Sequence, residues 1–480
     1  MVRGLKVLFL AAEATPFVKV GGLGDVAGEL PRALRRLGVD VRLALPLHAA
    51  LETRGVEIER TIALLVPRGQ GLEPATVHCG QLEGLPLFLV DGESILHSAG
   101  LYGDPAVDVR KFTLFSLASL AACEETGWLP DVVHANDWHT APAVIALARR
   151  RAAQPAWQRT ASLLTVHNLA YMGAGGEAGL QAFGLGPSSD GSLPNWARAL
   201  PLPLGLLHAD GITAVSPTYA REILSPEFGC GLETFLATRQ DRIRGILNGI
   251  DPANWNPTTD SSLVQTYDLT HLGLRPANKA ALAQDLGWTH QAGVPVMAMV
   301  TRLDFQKGVD LVLQALPRLL DLAWRFVLLG TGDQDLEQMS AARAAAYPDR
   351  IRFLPRFDPR LARRIYAGAD LLLVPSRFEP CGLTQMIAMR YGCIPLVRAV
   401  GGLRDTILPA GEDGSGTGFL FQEAEAVALE GVLRQAISAF QQKDRWRQLQ
   451  EQAMRQDFSW EKSAAAYHAL YRELVEGRAQ

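Results

Sequence analysis

The chain has 480 residues, too many for one ordinary hydrophobic core, so two domains of roughly 200–250 residues are expected. Hydrophobic residues make up 48% and charged residues 20%, a balance that excludes a disordered or coiled-coil protein and fits a globular enzyme. Lys and Arg number 46 against 50 Asp and Glu, a net charge of −4, which argues against nucleic acid as a partner and implies that functional cations are few and individually placed.

Met1–Leu10 sets two basic residues before a short apolar run, as a signal peptide does, but Glu13 interrupts it and no cleavage-type end follows. No apolar stretch of about twenty residues is present to span a bilayer, so no membrane partner is expected. Five cysteines (Cys79, Cys123, Cys230, Cys381 and Cys393) form neither a CxxC pair nor a Cys/His metal spacing. Sparse, odd-numbered thiols fit a reducing cytoplasm.

Short β-rich runs then alternate with helical patterns, the signature of parallel sheets covered by helices. Strands are predicted at Lys6–Ala11, Val41–Leu45, Leu85–Val90, Asp131–His134, Ser162–Thr165 and Gly211–Ala214, with helices at Gly24–Leu37, Ala106–Cys123 and Ala141–Arg150. Asn248–Pro257 is rich in turn formers and lacks periodicity, which makes it the predicted hinge. A second series follows: strands at Val296–Val300, Trp324–Leu329, Ile351–Leu354, Asp370–Val374 and Ile394–Val397, and helices at Gly308–Leu320 and Asp335–Ala345. Two doubly wound domains with a cleft between them are the expected outcome, with ligands outside the carboxyl ends of the strands.

Several segments carry candidate chemistry. After the first strand, Lys19-Val20-Gly21-Gly22-Leu23-Gly24-Asp25 is a glycine-rich loop opening a helix, where backbone amides can face a phosphate and Lys19 adds a mobile charge. It departs from the GxGxxG dinucleotide fingerprint, and a tight loop with a solvated lysine is the plainer alternative. Glu13 is expected to leave the first strand directly into the cleft. Asp137-Trp138-His139 ends one further strand and offers a carboxylate and an aromatic face suited to a sugar, and His167 ends another, where a lone histidine is more often a structural residue.

In the second series, Thr301-Arg302-Leu303-Asp304-Phe305-Gln306-Lys307-Gly308 puts two cations on one strand-end loop, where they can hold a diphosphate and offset its charge as it leaves. Gly330-Thr331-Gly332-Asp333 is a commonplace glycine turn. Arg377-Phe378-Glu379-Pro380-Cys381-Gly382-Leu383-Thr384-Gln385 follows a buried strand, and a helix start capped by Thr384 would present Glu379 and free N–H groups to an anionic sugar ligand. An ordinary strand–turn–helix connection is the alternative there. No Ser–His–Asp order or metal-ligand cluster is evident.

Together these segments resemble the bacterial glycogen synthase and plant starch synthase family of retaining glucosyltransferases. The resemblance rests on KVGGLGDV (19–26), VVHANDWHT (132–140), TVHNLAYMG (165–173), ADGITAVSPTYAREI (209–223), EFGCGLE (227–233), NGIDPANWNP (248–257), TRLDFQKGVDL (301–311), RIYAGADLLLVPSRFEPCGLTQ (364–385), RYGCIPLVRAVGGLRDTI (390–407), DGSGTGFLF (413–421) and SWEKSAAAYHALY (459–471). They span nearly the whole chain in the family's order.

The resemblance implies an α/β fold of GT-B architecture, two Rossmann-like doubly wound domains facing across a deep cleft. It implies residues 1–245 as the acceptor-side catalytic domain, 246–257 as hinge, 258–458 as the nucleotide-sugar domain, and 459–480 as a helix crossing back. The implied reaction transfers glucose from ADP-glucose to the non-reducing 4-OH of an α-1,4-glucan with retention, without cofactor or metal.

By matching motif, Lys19 and the Gly21–Gly22 amides should meet the donor's phosphate and glucose. Arg302 and Lys307 should hold the diphosphate, helped by Leu383 and Thr384 amides within the Cys381–Thr384 turn that includes Gly382. Glu379 should stabilise charge at the anomeric carbon, with His167 beneath the glucose. Glu13, Asp137 and Asn248 should fall in the sugar pocket, and Phe357 stands where the family commonly stacks a Tyr on adenine. Departures lie in Gly173–Leu207, which implies an altered acceptor side, in Met172, and in Met386-Ile387, where Ile387 replaces a Tyr expected near the ribose. UDP-glucose as donor, a small acceptor, or a non-catalytic glucan-binding role are the alternatives.

Overall fold

The computed structural model describes residues 4–96 and 100–479; Met1–Arg3, at the start of the basic–apolar N-terminal run, lie outside the described residues. The chain divides into two compact units, Met1–Gly249 with Trp460–Gln480, and Ile250–Ser459.

The first unit is built on a nine-stranded sheet: β1 (Lys6–Leu10), β2 (Asp40–Pro46), β3 (Glu57–Arg68), β4 (Gly71–Leu82), β5 (Leu85–Asp91), β6 (Val132–Asn136), β7 (Ala161–Val166), β8 (Gly211–Ala214) and β9 (Ile243–Gly245). Its order is β3-β4-β5-β2-β1-β6-β7-β8-β9. From β5 to β9 every pairing is parallel, and β1 lies centrally, with Phe9 opposite Leu43 on one side and His134 on the other. Val7–Leu10 are fully buried, as expected of a parallel strand covered on both faces. The β3–β4 pair is antiparallel and extends the edge. No strand was expected in that stretch, whose charged and proline-interrupted pattern hides its alternation.

Helix Gly22–Arg36 follows β1, with Asp25 in its first turn and Arg35 and Arg36 in its last, each charge complementing the adjacent pole of the helix dipole. Its buried stripe of Leu23, Val26, Ala27, Leu30, Ala33 and Leu34 repeats at helical spacing. Helix Asp137–Ala153 begins four residues before the expected Ala141.

The second unit carries a six-stranded, all-parallel sheet: β10 (Val296–Val300), β11 (Arg325–Leu329), β12 (Ile351–Leu354), β13 (Leu371–Val374), β14 (Ile394–Arg398) and β15 (Phe419–Phe421). Its order is β12-β11-β10-β13-β14-β15, the 3-2-1-4-5-6 winding of a dinucleotide-binding fold. The predicted helix Gly308–Leu320 is shorter. It runs Val309–Ala315 and tightens into a 3₁₀ turn at Leu316–Leu319, because Pro317 has no N–H for the next helical bond.

The last helix, Trp460–Ala479, belongs to the first unit. Tyr471 Oη lies 2.7 Å from His134 Nδ1, His134 Nε2 lies 2.7 Å from Thr165 Oγ1, and Thr165 Oγ1 lies 2.6 Å from Thr213 Oγ1. This buried polar chain ties the C-terminal helix through three neighbouring strands. Burial pushes the His134 imidazole well below its ordinary pKa, so the ring stays neutral and needs both hydroxyl partners. Tyr471→Phe strips one partner from a buried ring nitrogen and should lower stability by about 1–3 kcal/mol in urea unfolding; an unchanged midpoint would show that the hydroxyl does not anchor the helix.

Candidate active site

In both sheets the winding reverses beside the first strand, between β1 and β6 and between β10 and β13. Ligands of such sheets settle where the two carboxyl ends diverge, and the candidate side chains cluster there.

In the second unit a cavity of about 200 Å³ is lined by Thr301, Arg302, Lys307, Ser376, Glu379, Gly382, Leu383 and Thr384. Glu379 is 8% exposed. Its Oε2 accepts from Lys307 Nζ at 2.7 Å and from Ser376 Oγ at 2.9 Å. Arg302 is exposed, its Nη2 3.7 Å from Asp304 Oδ2. Hence two cations and one carboxylate share a recess, one cation tied to the carboxylate and the other extended.

Two glycine turns hold this recess. Gly330 (φ +153°) packs so tightly that a Cβ would lie 1.8 Å from Thr301 O. Leu303 N donates to Thr331 O at 2.9 Å and Asp333 N to Leu303 O at 2.7 Å. The turn that looks commonplace in sequence therefore fixes the loop bearing Arg302. Gly401 (φ +44°) would place a Cβ 1.9 Å from Glu379 O, and Gly402 N donates to Glu379 O and Pro380 O, each at 3.2 Å. No other residue type lets the backbones approach that closely.

Several expectations change. Thr384 does not cap its helix: it is the first helical residue, Leu383 is the N-cap, and no side chain caps the end. The fully buried Gln385 closes the turn instead, its Nε2 donating to Cys381 O at 3.1 Å and Gly382 O at 2.9 Å. Cys381 is buried beneath the turn and Phe357, 89% exposed, projects from the surface; neither lines the cavity. Ile387 and Met386 are both buried in the helix that starts at Thr384.

In the first unit, Glu13 is 2% exposed and does not project openly from its strand. Its carboxylate accepts from Val20 N, and from Gly21 N at 3.0 Å. The Gly21 amide is therefore already occupied, contrary to the expectation that it awaits a phosphate. Burial lifts the Glu13 pKa, against the amide bonds that lower it. Lys19 is drawn to Asp25 at 2.7 Å. Gly22 has nothing within 4 Å of where a Cβ would stand, leaving open space at the helix start.

Asp137 sits at the β6 exit in a left-handed backbone conformation, φ +57°, a strain that non-glycine residues hold mainly at functional sites. Its Oδ1 accepts from His167 N at 2.7 Å and Asn168 N at 3.4 Å. Burial raises its pKa to about 7, with the neighbouring Glu13 charge adding to the shift.

Asn136 Nδ2 donates to Leu10 O at 2.9 Å, which leaves its Oδ1, 2.9 Å from His167 Nε2, as an acceptor. His167 thus carries its proton on Nε2 and keeps a lone pair on Nδ1. Burial pushes its pKa down to about 3, so the ring is neutral throughout the physiological range. Beside it, the Trp138 and His139 rings lie 4.1 Å apart, tilted by 33°, and Phe112 meets Trp138 edge-on at 5.4 Å. Asn248 is buried, its Oδ1 without a hydrogen-bond partner among the described residues. Among the described residues no group of three or more His, Cys, Asp or Glu side chains could hold a metal ion, and no helix is long and apolar enough to cross a membrane.

Residues 6–238 match the family of the starch synthase catalytic domain, and residues 287–453 match glycosyl transferases group 1. The chain is 39% identical to a glycogen synthase of Syntrophotalea carbinolica over 98% of its own length and 99% of that protein. The chain belongs to the glycogen and starch synthase family. It is 41% identical to glycogen synthase 2 of Nitrosococcus oceani, over 98% of this chain and 97% of that one. The catalytic domain of starch synthase IV from Arabidopsis thaliana, bound to ADP and acarbose, superposes with a TM-score of 0.88 at 34% identity, covering 99% and 100% of the two chains. The protein is therefore a glycosyltransferase of GT-B fold that transfers glucose to a glucan.

Asp137 gives this glycosyltransferase a pH signature. Its folded pKa, about 7, exceeds the ordinary 3.8. The stability tied to its proton is complete below 3.8 and is lost as pH rises through 7. Asp137→Asn, permanently neutral and still able to accept from His167 N, should gain stability relative to wild type between pH 4.5 and 8, reaching about 1–3 kcal/mol. Urea titrations across that range check this, and a pH-independent difference would contradict it.

Proposed function

We propose that the donor is ADP-glucose, that the acceptor is the non-reducing 4-OH of an α-1,4-glucan, and that transfer proceeds with retention. The observation that carries this reading is the second unit's cavity, where Arg302, Lys307 and Glu379 converge. Diphosphate oxygens suit both the extended guanidinium and the ammonium, and the backbone amides of Leu383 and Thr384 add further donors. Glu379 then faces the transferred glucose and stabilises positive charge developing at the anomeric carbon. ADP in the starch synthase IV complex supports adenine over uracil, and the exposed ring of Phe357 offers a face for it.

The first unit supplies the other groups. Neutral His167 offers its backbone carbonyl or Nδ1 lone pair near C1 and the 6-OH, while Asp137 and Glu13 bind hydroxyls and Asn248 contributes an amide. Lys19 must exchange Asp25 for the donor's phosphate, and Gly22 rather than Gly21 has an amide to spare. Departure of the nucleotide rests on side-chain cations, with no bound metal or cofactor. Its five cysteines, all free, fit a reducing cytoplasm.

The acceptor segment Gly173–Leu207 is built differently from the family pattern but is firmly seated. Met172 is buried, and a Cβ on Gly173 would press on Trp138 and Pro201, both at 2.9 Å. Retention of Lys19, His167, Arg302, Lys307 and Glu379 favours catalysis over a non-catalytic glucan binder, which has no need of two placed cations and a buried carboxylate.

Labelled ADP-glucose and UDP-glucose offered in parallel, with glycogen and maltooligosaccharides as acceptors, should give incorporation mainly from ADP-glucose and unchanged activity after chelation. Equal, negligible incorporation from both donors would overturn the catalytic reading, and loss of activity with chelator would overturn the metal-free one. Glu379→Gln should lower kcat by about 10²–10³-fold, since its interaction belongs to the transition state. ADP should bind at least as tightly, because the change releases Lys307. Near-normal turnover would remove Glu379 from the mechanism.

A further inference from the structure

The loop bearing Lys307 leaves β10 and the loop bearing Glu379 leaves β13, and both lie beyond the last ladder pairing of those strands. Sheet hydrogen bonds therefore do not fix the distance between the two side chains. A separate set of contacts does. Arg377 Nη1 and Nη2 grip Asp310 Oδ1 and Oδ2 at 2.8 and 2.7 Å, and Nη1 also donates to Phe305 O at 2.8 Å. The guanidinium carbon stands 3.7 Å from the centre of the Phe305 ring. Backbone Arg377 N donates to Gln306 O at 2.7 Å, and Gln306 Nε2 returns a bond to Phe378 O at 3.0 Å. From the far side, Arg398 Nη1 donates to Arg377 O and its Nε to Gln422 O at 2.7 Å.

These contacts join the Phe305–Asp310 and Arg377–Glu379 segments, which carry Lys307 and Glu379, and Arg398 braces the second of them. We propose that Arg377 and Asp310 are positioning residues: their forked ion pair, covered on one face by the Phe305 ring, sets the separation of Lys307 and Glu379 and so aims the Glu379 carboxylate at the reacting carbon. The inference rests on the catalytic reading of Glu379 given above. A fork is required because two parallel N–H···O bonds fix distance and angle together, whereas a lysine at 377 would supply charge without either. Misplacement of about 1 Å at a reacting centre is enough to cost on the order of 10²-fold in rate.

A purely stabilising ion pair predicts something different, and double-mutant cycles separate the two. Arg377→Lys should lower kcat by about 10–100-fold, with KM for the donor within about threefold and the thermal midpoint nearly unmoved. In a Glu379→Gln background the same change should cost almost nothing further, because groups acting as a unit are not additive. Calorimetry with ADP provides a second arm that needs no turnover. Glu379→Gln should tighten ADP binding severalfold on the wild-type chain, and by less than about twofold on Arg377→Lys, where Lys307 is no longer held to the carboxylate.

Wild-type turnover in Arg377→Lys, or an equal loss with and without Glu379, would overturn the proposal. So would an equal ADP effect in both backgrounds. A wild-type chain that binds ADP yet transfers no glucose would defeat the catalytic role of Glu379 and the aim assigned to it, whereas failure of the clamp alone leaves wild-type transfer intact.

Discussion

Parallel strands deliver all their carboxyl ends to one side of a sheet, and the reversal of winding beside the first strand opens a gap there that no crossover fills. Both units of this chain exploit that single constraint. Beside β1 it gathers Glu13, Asp137 and His167; beside β10 it gathers Arg302, Lys307 and Glu379. The strands themselves, buried and apolar, contribute rigidity. The candidate side chains lie in the loops beyond the strand ends, where backbone groups leave the ladder and need other partners.

How those partners are supplied differs between the units. In the first, charged side chains satisfy loop amides directly: Glu13 takes Val20 and Gly21, and Asp137 takes His167 and Asn168. The carboxylates are costly to ionise there, as their raised pKa values record, and a polyhydroxyl ligand is well matched to such acceptors. In the second unit glycine turns bring backbone onto backbone, and the side chains of Gln306, Arg377, Gln385 and Arg398 serve further loop carbonyls, which leaves that duty to residues other than Arg302, Lys307 and Glu379. One unit thus presents buried carboxylates and the other placed cations.

Much of this was legible in the sequence. The strand runs flanking Arg302 and Glu379 are short, apolar and bounded by turn formers, so their ends could be placed within a residue or two. Asp137 and His167 were likewise found at strand exits. What could not be read was which distant atom each loop would meet. Gly330 looks like any turn glycine until Thr301 O is seen beneath it; the Gly21 amide looks available until Glu13 folds back onto it. Thr384 has the composition of a cap, but Gln385 closes the turn one residue later. The β3–β4 hairpin escaped notice because, at an exposed edge, its residues need not alternate cleanly.

The last helix carries a consequence for biosynthesis. Ribosomes release the Met1–Gly249 stretch first, yet its sheet lacks the Tyr471 hydroxyl on His134 until residues beyond the intervening unit have been made. The intervening unit is contiguous and can mature as soon as it emerges, whereas the earlier-made one waits, its polar interior incomplete. Order of synthesis and order of completion are thus inverted, and a nascent chain stalled or clipped before Tyr471 would leave the earlier-made unit unfinished.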